Sequence, residues 1–239
     1  MLFRSGAKAF PDARRVFLLD GDALAVGNAK LVPVLEFLKK KFPLFSRVSS
    51  YANGTNITRR TDAELSELCR HQLKLVYMGL ESGSQAVLDR CSKRSTVEEM
   101  IEAVRRAEAA GIKSSVIVLL GLGGKRESET HVRETIRALN RMQPRYLSFL
   151  SLMIIPGTPL DEDVRRGRFE ELDAQELLRE ARDIVQGLAL AKTIFRSNHA
   201  SNFLAVEGRL PQDQEKILAT FQCGLAGKTR LRPDFLRGL

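Results

Sequence analysis

Five short polar runs, each following an apolar stretch, hold most of the residues able to do chemistry. They are Asp20-Gly21-Asp22, Ser49-Ser50-Tyr51, Glu81-Ser82-Gly83-Ser84, Gly121-Leu122-Gly123-Gly124 and Ile155-Pro156-Gly157. Carboxylates accept from an ammonium group or from ribose hydroxyls, and glycines let the backbone approach a ligand closely. Such a set suits a ligand with amino, ribose and base groups. Each run also has a plainer role. Asp-Gly-Asp makes a turn, and Glu81 before Ser-Gly is an acid at a helix start. Gly121-Leu122-Gly123-Gly124-Lys125 lacks the spacing of a triphosphate loop. A sixth run gathers Arg196, Asn198, His199 and Asn202 as substrate-site candidates. His199 would serve there as proton donor or anion contact, the alternative being a capping and turn segment. His71 and His131 read as helix-surface residues. No residue is assigned as catalytic.

The elements that must position these runs follow from periodicity. Apolar, β-branched stretches predict strands over Arg15–Leu19, Arg47–Tyr51, Leu73–Leu80, Ile112–Leu120 and Arg145–Ile155. Helical spacing fills each gap: Leu31, Val34, Leu35 and Leu38; then Leu65, Leu68 and Cys69 after a Thr61/Glu64 capping box. A Ser95/Glu98 box is expected to open the next helix, and a helix over 131–142 precedes Pro144. Gly111 stands where a left-handed helix cap is expected. Alternating strands and helices with near-continuous apolar strands predict an α/β fold with a parallel sheet, wound as a barrel or as an open doubly wound sheet. Ligands of such folds gather at the carboxyl ends of the strands, where the polar runs stand. Beyond Pro156 the pattern is helical: an Asp173/Glu176 box opens a long helix, and another helix lies near 212–220, with a short strand over Thr193–Arg196. The domain reading is a foreign or disordered leader over 1–8, a core over 9–160 and a C-terminal helical extension over 161–239.

Composition excludes several classes. The 239 residues are 44% hydrophobic and 28% charged, ordinary values for a globular protein. Three cysteines, Cys69, Cys91 and Cys223, are too few and too scattered for a disulfide framework. No apolar run approaches the ~20 residues of a membrane span. The opening Met-Leu-Phe-Arg-Ser-Gly-Ala-Lys has no apolar signal core, so a cytoplasmic protein with no membrane partner is expected. The net charge of +9 would suit nucleic acid or an anionic small molecule, but the arginines are interspersed with acids. No basic run, stacking aromatic set or tryptophan accompanies them, so charge points to a basic solvated surface ahead of a nucleic-acid partner.

Taken in order, FLLDGDAL, VSSY, YMGLESGSQAVL, GIKSSVIVLLGLGG and SLMIIPGTPL resemble the radical S-adenosylmethionine enzymes. The nearest branch holds the oxygen-independent coproporphyrinogen oxidases and the tRNA methylthiotransferases. The resemblance covers about residues 14–205 and implies a partial parallel (β/α)6 barrel. By that resemblance Asp20, Gly21 and Asp22 take the place of the motif that holds the S-adenosylmethionine amino group. Ser49, Ser50 or Tyr51 would help with the methionine carboxylate, and Glu81 with Ser82 would contact the ribose. Leu120, Gly121 and Gly123, with the backbone around Ile155, would cradle adenine. The family's [4Fe–4S] cluster is held by Cys-x-x-x-Cys-x-x-Cys, which this sequence lacks, so its cysteines are not expected to bind the cluster. Arg15–Leu19 matches the family's second strand, so the expectation is a gene product truncated ahead of that strand, inactive on its own. The full-length enzyme would act on an unknown substrate and take electrons from a donor such as flavodoxin or ferredoxin. The alternative is a cluster-free relative that binds S-adenosylmethionine or a nucleotide. An ordinary barrel lyase is disfavoured because its strand lysines, Lys74 and Lys113, lie near strand starts.

Overall fold

The computed structural model describes residue 6 and residues 8–238, apart from the Asp20 side chain. Most of the expected leader over 1–8 therefore lies outside the described residues. Seven strands are present: β1 (Arg15–Asp22), β2 (Arg47–Tyr51), β3 (Leu73–Glu81), β4 (Lys113–Leu120), β5 (Tyr146–Ser151), β6 (Thr193–Ser197) and β7 (Val206–Leu210). Helices α1 (Asn28–Lys41), α2 (Gly54–Thr58) and α3 (Asp62–Arg70) come first, then α4 (Gln85–Arg90) and α5 (Val97–Ala109). The later ones are α6 (Gly124–Met142), α7 (Pro159–Arg165), α8 (Ala174–Gly187) and α9 (Gln214–Leu225). Strands hydrogen-bond in sequence order in a mostly parallel sheet, with β7 antiparallel to β6. This is the α/β fold with a parallel sheet that the strand and helix cadence implied, open as in the partial barrel that the family resemblance implied.

The chain divides into two compact units. The first holds residues up to Met78 with Glu102–Ser115. Its strands β1, β2 and the start of β3 bury Leu18, Val48 and Val76, while α1 contributes Leu31, Leu35 and Leu38 and α3 contributes Leu65 and Leu68. Burying each such side chain is worth about 2 kcal/mol. The Thr61/Glu64 capping box forms as expected and starts α3 where the apolar stripe begins. On the other face of the strands Phe17, Tyr51 and Tyr77 form an aromatic cluster, with Phe17 and Tyr51 edge-on at 5.1 Å. Leu19 on β1 is 68% exposed.

The second unit holds Gly79–Ile101 and Val116–Leu239. Phe149 of β5 and Phe195 of β6 meet edge-to-face at 5.0 Å, both fully buried. Helix α8 starts at the expected Asp173/Glu176 box and buries Leu177, Leu178, Ile184 and Val185. Several expectations are corrected here. The short strand expected over Thr193–Arg196 is present as β6, and the stretch over 161–239 also holds β7, which was not expected. Val206-Glu207-Gly208-Arg209-Leu210 offers only two apolar residues in alternation, too little to declare a strand. Helix α6 starts at Gly124, well ahead of the expected 131, and its buried face carries His131 and Thr135 among its apolar residues, which hides its first turns from an apolar periodicity. The box that opens α5 is Thr96 with Glu99, not Ser95 with Glu98; Glu98 pairs with Arg141 instead. Strand β5 ends at Ser151, short of the expected Ile155.

Candidate functional site

In the first unit the exit of β1 is tied to the loop after β2 through one carboxylate. Asp22 Oδ1 accepts from the Leu24 amide at 2.7 Å, and Oδ2 accepts from the Asn53 amide at 2.6 Å and Asn56 Nδ2 at 2.8 Å. Asn56 in turn gives its carbonyl to Arg60, whose buried guanidinium also donates to the Val26 carbonyl and Asn28 Oδ1. Burial lowers the Arg60 pKa, and Glu64 and Asp22 oppose that. Gly21 has φ +100°, and the β1/β2 register shifts between Leu18 and Asp22, so the turn needs its glycine. Ser49 and Ser50 are buried, and Ser50 Oγ donates to the Tyr51 carbonyl. Tyr51 is left as the half-exposed side chain of that run. Asp20's side chain lies outside the described part of the molecule.

In the second unit the strand ends are more strained. Glu81 has φ +63°, and the Ser82 amide bonds the Leu80 carbonyl across it at 2.8 Å. That is the form of γ-turn non-glycine residues avoid, and such strain persists only where its surroundings over-determine it. The Glu81 carboxylate folds back toward Lys93, whose Nζ lies 3.2 Å from Oε1 and donates to the Gly79 carbonyl at 2.7 Å. Neither Lys93 nor its pairing was foreseen; it lies beyond α4, with no spacing signal. Gly83 lies so close to α6 that a Cβ there would stand 2.3 Å from the Glu134 carbonyl oxygen. Its amide donates to Thr135 Oγ1 at 2.9 Å.

Beneath this turn lies a buried polar chain. Ser82 Oγ sits 2.8 Å from His131 Nδ1 and accepts from the Ser84 amide. His131 Nε2 faces Glu180 Oε1 at 3.5 Å and has no hydrogen-bond partner. Glu180 Oε1 accepts from the Gly121 amide at 2.6 Å and Oε2 from Ser128 Oγ at 2.5 Å. His131 is fully buried, which corrects its reading as a surface residue: α6 presents a polar stripe inward. Burial lowers the His131 pKa to about 4. Burial also pushes the Glu180 carboxyl up to about 7, against the opposing bonds from Ser128 and Gly121. Glu180 lies between Arg179 and Ala181 on an amphipathic helix, where a periodic reading counts it with the solvated charges. Leu120, Gly121 and Gly123 are buried, whereas Ile155 is 47% exposed.

The candidates of the sixth run have separate surroundings. Asn202 is buried: Nδ2 donates to the Phe149 carbonyl and Ser197 Oγ, and Oδ1 accepts from Ser151 Oγ. His199 Nδ1 is taken by Ser201, Asn198 donates to Glu207, and Arg196 stacks over the Tyr146 ring at 5.8 Å. The tail straps this loop. Arg232 Nη1 donates to the carbonyls of His199, Ala200 and Asn202. Arg237 lies 4.0 Å over Phe203 and donates to the carbonyls of Ser201 and Leu152.

Residues 3–139 match the profile of the Radical SAM superfamily. The chain belongs to the radical SAM superfamily. A curated relative, the uncharacterized protein MJ0486 of Methanocaldococcus jannaschii, is 27% identical over 112 residues, covering 47% of this radical SAM chain and 34% of the relative. Among solved structures, Methanocaldococcus infernus Elp3 with an N-terminal deletion is similar at a TM-score of 0.63 and 15% identity, covering 95% of this chain and 59% of that one. Coproporphyrinogen III oxidase (HemN) of Escherichia coli, a radical SAM enzyme, gives 0.56 at 14% identity, covering 77% and 42%. The chain thus spans about a third of the curated relative and under two thirds of Elp3, and the structural likenesses show the fold. Family membership supports an enzyme of radical SAM type.

The family implies S-adenosylmethionine and a [4Fe–4S] cluster. The cysteines of this radical SAM chain do not fit the cluster. Cys69 is half-buried on α3 and takes a bond from Lys74, while Cys91 and Cys223 are exposed at the ends of other helices. Among the described residues no group of three His, Cys, Asp or Glu side chains could hold a metal ion. The donor set suits S-adenosylmethionine better. Glu81 keeps Oε2 unspent in a strained turn, and an apolar Ile155 stands exposed after β5. No helix among the described residues is long and apolar enough to cross a membrane.

Proposed function

We propose that this chain is the S-adenosylmethionine-holding part of a radical SAM enzyme whose cluster thiolates come from residues other than Cys69, Cys91 and Cys223. The observation that carries the reading is the strained turn at Glu81, a carboxylate at the end of β3 in a chain of this family. Glu81 accepts the ribose hydroxyls, and Lys93 fixes its carboxylate by holding one oxygen. Glycine backbone at Gly121 and Gly123, with Ile155, receives the adenine. At the other strand ends Gly21 and Asp22 shape the backbone for the amino group, and Tyr51 meets the methionine carboxylate. Asp22 acts by ordering the loop, since its own oxygens are spent. S-adenosylmethionine, when bound, supplies a one-carbon or radical source that the protein itself lacks. The substrate stays unassigned, with Arg196, Asn198 and His199 as its proposed contacts, and flavodoxin or ferredoxin as the class of electron donor.

The cysteine placement favours a second reading, a cluster-free relative that binds S-adenosylmethionine or a nucleotide. Reading the coding sequence ahead of Met1 from an independent clone separates the two. An in-frame Cys-x-x-x-Cys-x-x-Cys is expected, and the longer protein should then release 5′-deoxyadenosine under anaerobic reduction. A stop codon in its place refutes the first reading. Release of 5′-deoxyadenosine by the 239 residues alone refutes the assignment of the thiolates.

A further inference from the structure

We propose that His131 and Glu180 are positioning residues that hold the two ligand-facing turns after β3 and β4 in register with each other. The role rests on the S-adenosylmethionine reading above, because those turns are the ones assigned to ribose and adenine. The argument starts from the strain. A γ-turn at a non-glycine residue costs on the order of 1–3 kcal/mol and relaxes unless its flanks are fixed. The flank at Glu81 is fixed from α6: Ser82 Oγ meets His131 Nδ1, and the Gly83 amide meets Thr135 Oγ1. The second turn is fixed from α8. Gly121 has φ +82°, and its amide donates to Glu180 Oε1.

The two clamps meet at His131 and Glu180, 3.5 Å apart and without a hydrogen bond between them. His131 Nε2 and the Gly121 amide both face Glu180 Oε1, so Ser82, His131, Glu180 and Gly121 form a continuous polar chain. Every member is buried. An apolar pair of similar volume at 131 and 180 would avoid the cost of burying both polar groups. Their polarity serves direction: each carries bonds to a defined backbone or hydroxyl position, which an apolar plug cannot do. Neither residue needs to touch ligand. Glu180 also forms part of the wall of a cavity of about 560 Å³ between α6 and α8, so the chain runs from the turns toward the outer face of those helices.

The test compares Glu180→Leu, Glu180→Gln and His131→Phe with Ile184→Ala, which loosens the same helix α8 by packing alone. Amide hydrogen exchange is read on peptides covering 81–84 and 121–124. Glu180→Leu and His131→Phe are expected to speed exchange in both peptides by about tenfold. Glu180→Gln, which keeps an acceptor for Gly121, should stay within about threefold. Ile184→Ala should raise exchange along α8 without singling out the turns. Should Glu180→Leu fail to fold, His131→Phe and Glu180→Gln carry the comparison. Unchanged exchange at 81–84 in His131→Phe overturns the proposal, as does an Ile184→Ala pattern that matches it. Equilibrium dialysis with S-adenosylmethionine is the second readout, with about tenfold weaker binding expected for His131→Phe and rescue in Glu180→Gln. A wild-type chain that binds no S-adenosylmethionine sinks the functional reading, while the exchange experiment still decides the positioning.

Discussion

Replacing Glu180 by Gln should change how stability depends on pH, because the buried pair carries two opposed titrations. Glu180 is raised from 4.5 to about 7 in the folded protein. Between those values the folded state keeps a proton that the unfolded state has released, so its contribution to stability is lost as pH rises from 4.5 to 7. His131 is lowered from 6.5 to about 4. Between those values the unfolded state holds the extra proton, so stability is gained as pH rises and lost as it falls through the same range. Each displacement is worth on the order of 3 kcal/mol. From about 4.5 to 6.5 the two slopes have opposite sign and cancel. Glu180→Gln removes the first of them, and stability relative to the native protein should rise by about 3 kcal/mol between pH 4.5 and pH 7. His131→Phe removes the other and should give the reverse, a fall of similar size relative to the native protein between pH 4 and pH 6.5. Urea unfolding followed by circular dichroism at half-unit pH steps measures both, and subtracting the native profile cancels the remaining carboxylates. A Glu180→Gln profile parallel to the native one would refute the reasoning.

Other residues give sharper single outcomes. Glu81→Gly should raise the melting temperature, since about 1 kcal/mol of left-handed strain is relieved, while S-adenosylmethionine binding is lost. Asp22→Ala leaves three donors without an acceptor and should cost roughly 3 kcal/mol in urea unfolding, with Asp22→Asn milder. Asn202→Ala should cost about 2 kcal/mol, because it unpairs the buried Phe149 carbonyl and Ser151 hydroxyl. Arg232→Ala should speed amide exchange over 199–203 alone, as that guanidinium holds three carbonyls of the loop.

The parts legible in the sequence are those written in apolar periodicity and short-range capping. β2 was readable residue for residue, as were the boxes at Thr61 and Asp173 and the left-handed Gly111. The roles proposed for the strand ends come from family resemblance alone. What escaped was long-range and polar. His131 and Glu180 lie on helices whose charged spacing looks solvated, and their meaning depends on Ser82 and Gly121, far away in sequence. Lys93 escaped for the same reason, and so did Arg232 and Arg237, which a tail without periodicity gives no cause to notice. β7 is short and half polar, and its pairing with β6 is a tertiary fact. The shift of the α5 box by one residue is a choice between two overlapping Ser/Thr-x-x-Glu frames, settled by which hydroxyl meets the helix amide.

The aromatic cluster of the first unit has an optical consequence. The chain contains no tryptophan and three tyrosines. Two of them, Tyr51 and Tyr77, flank Phe17 on one sheet face, and the third, Tyr146, lies beside the guanidinium groups of Arg145 and Arg196. Its ultraviolet emission therefore comes from tyrosine alone, and two of the three emitters stand together on that face. A ligand whose carboxylate meets the half-exposed Tyr51 side chain would alter that emission directly. The native protein thus carries its own label-free reporter for a ligand arriving at β2.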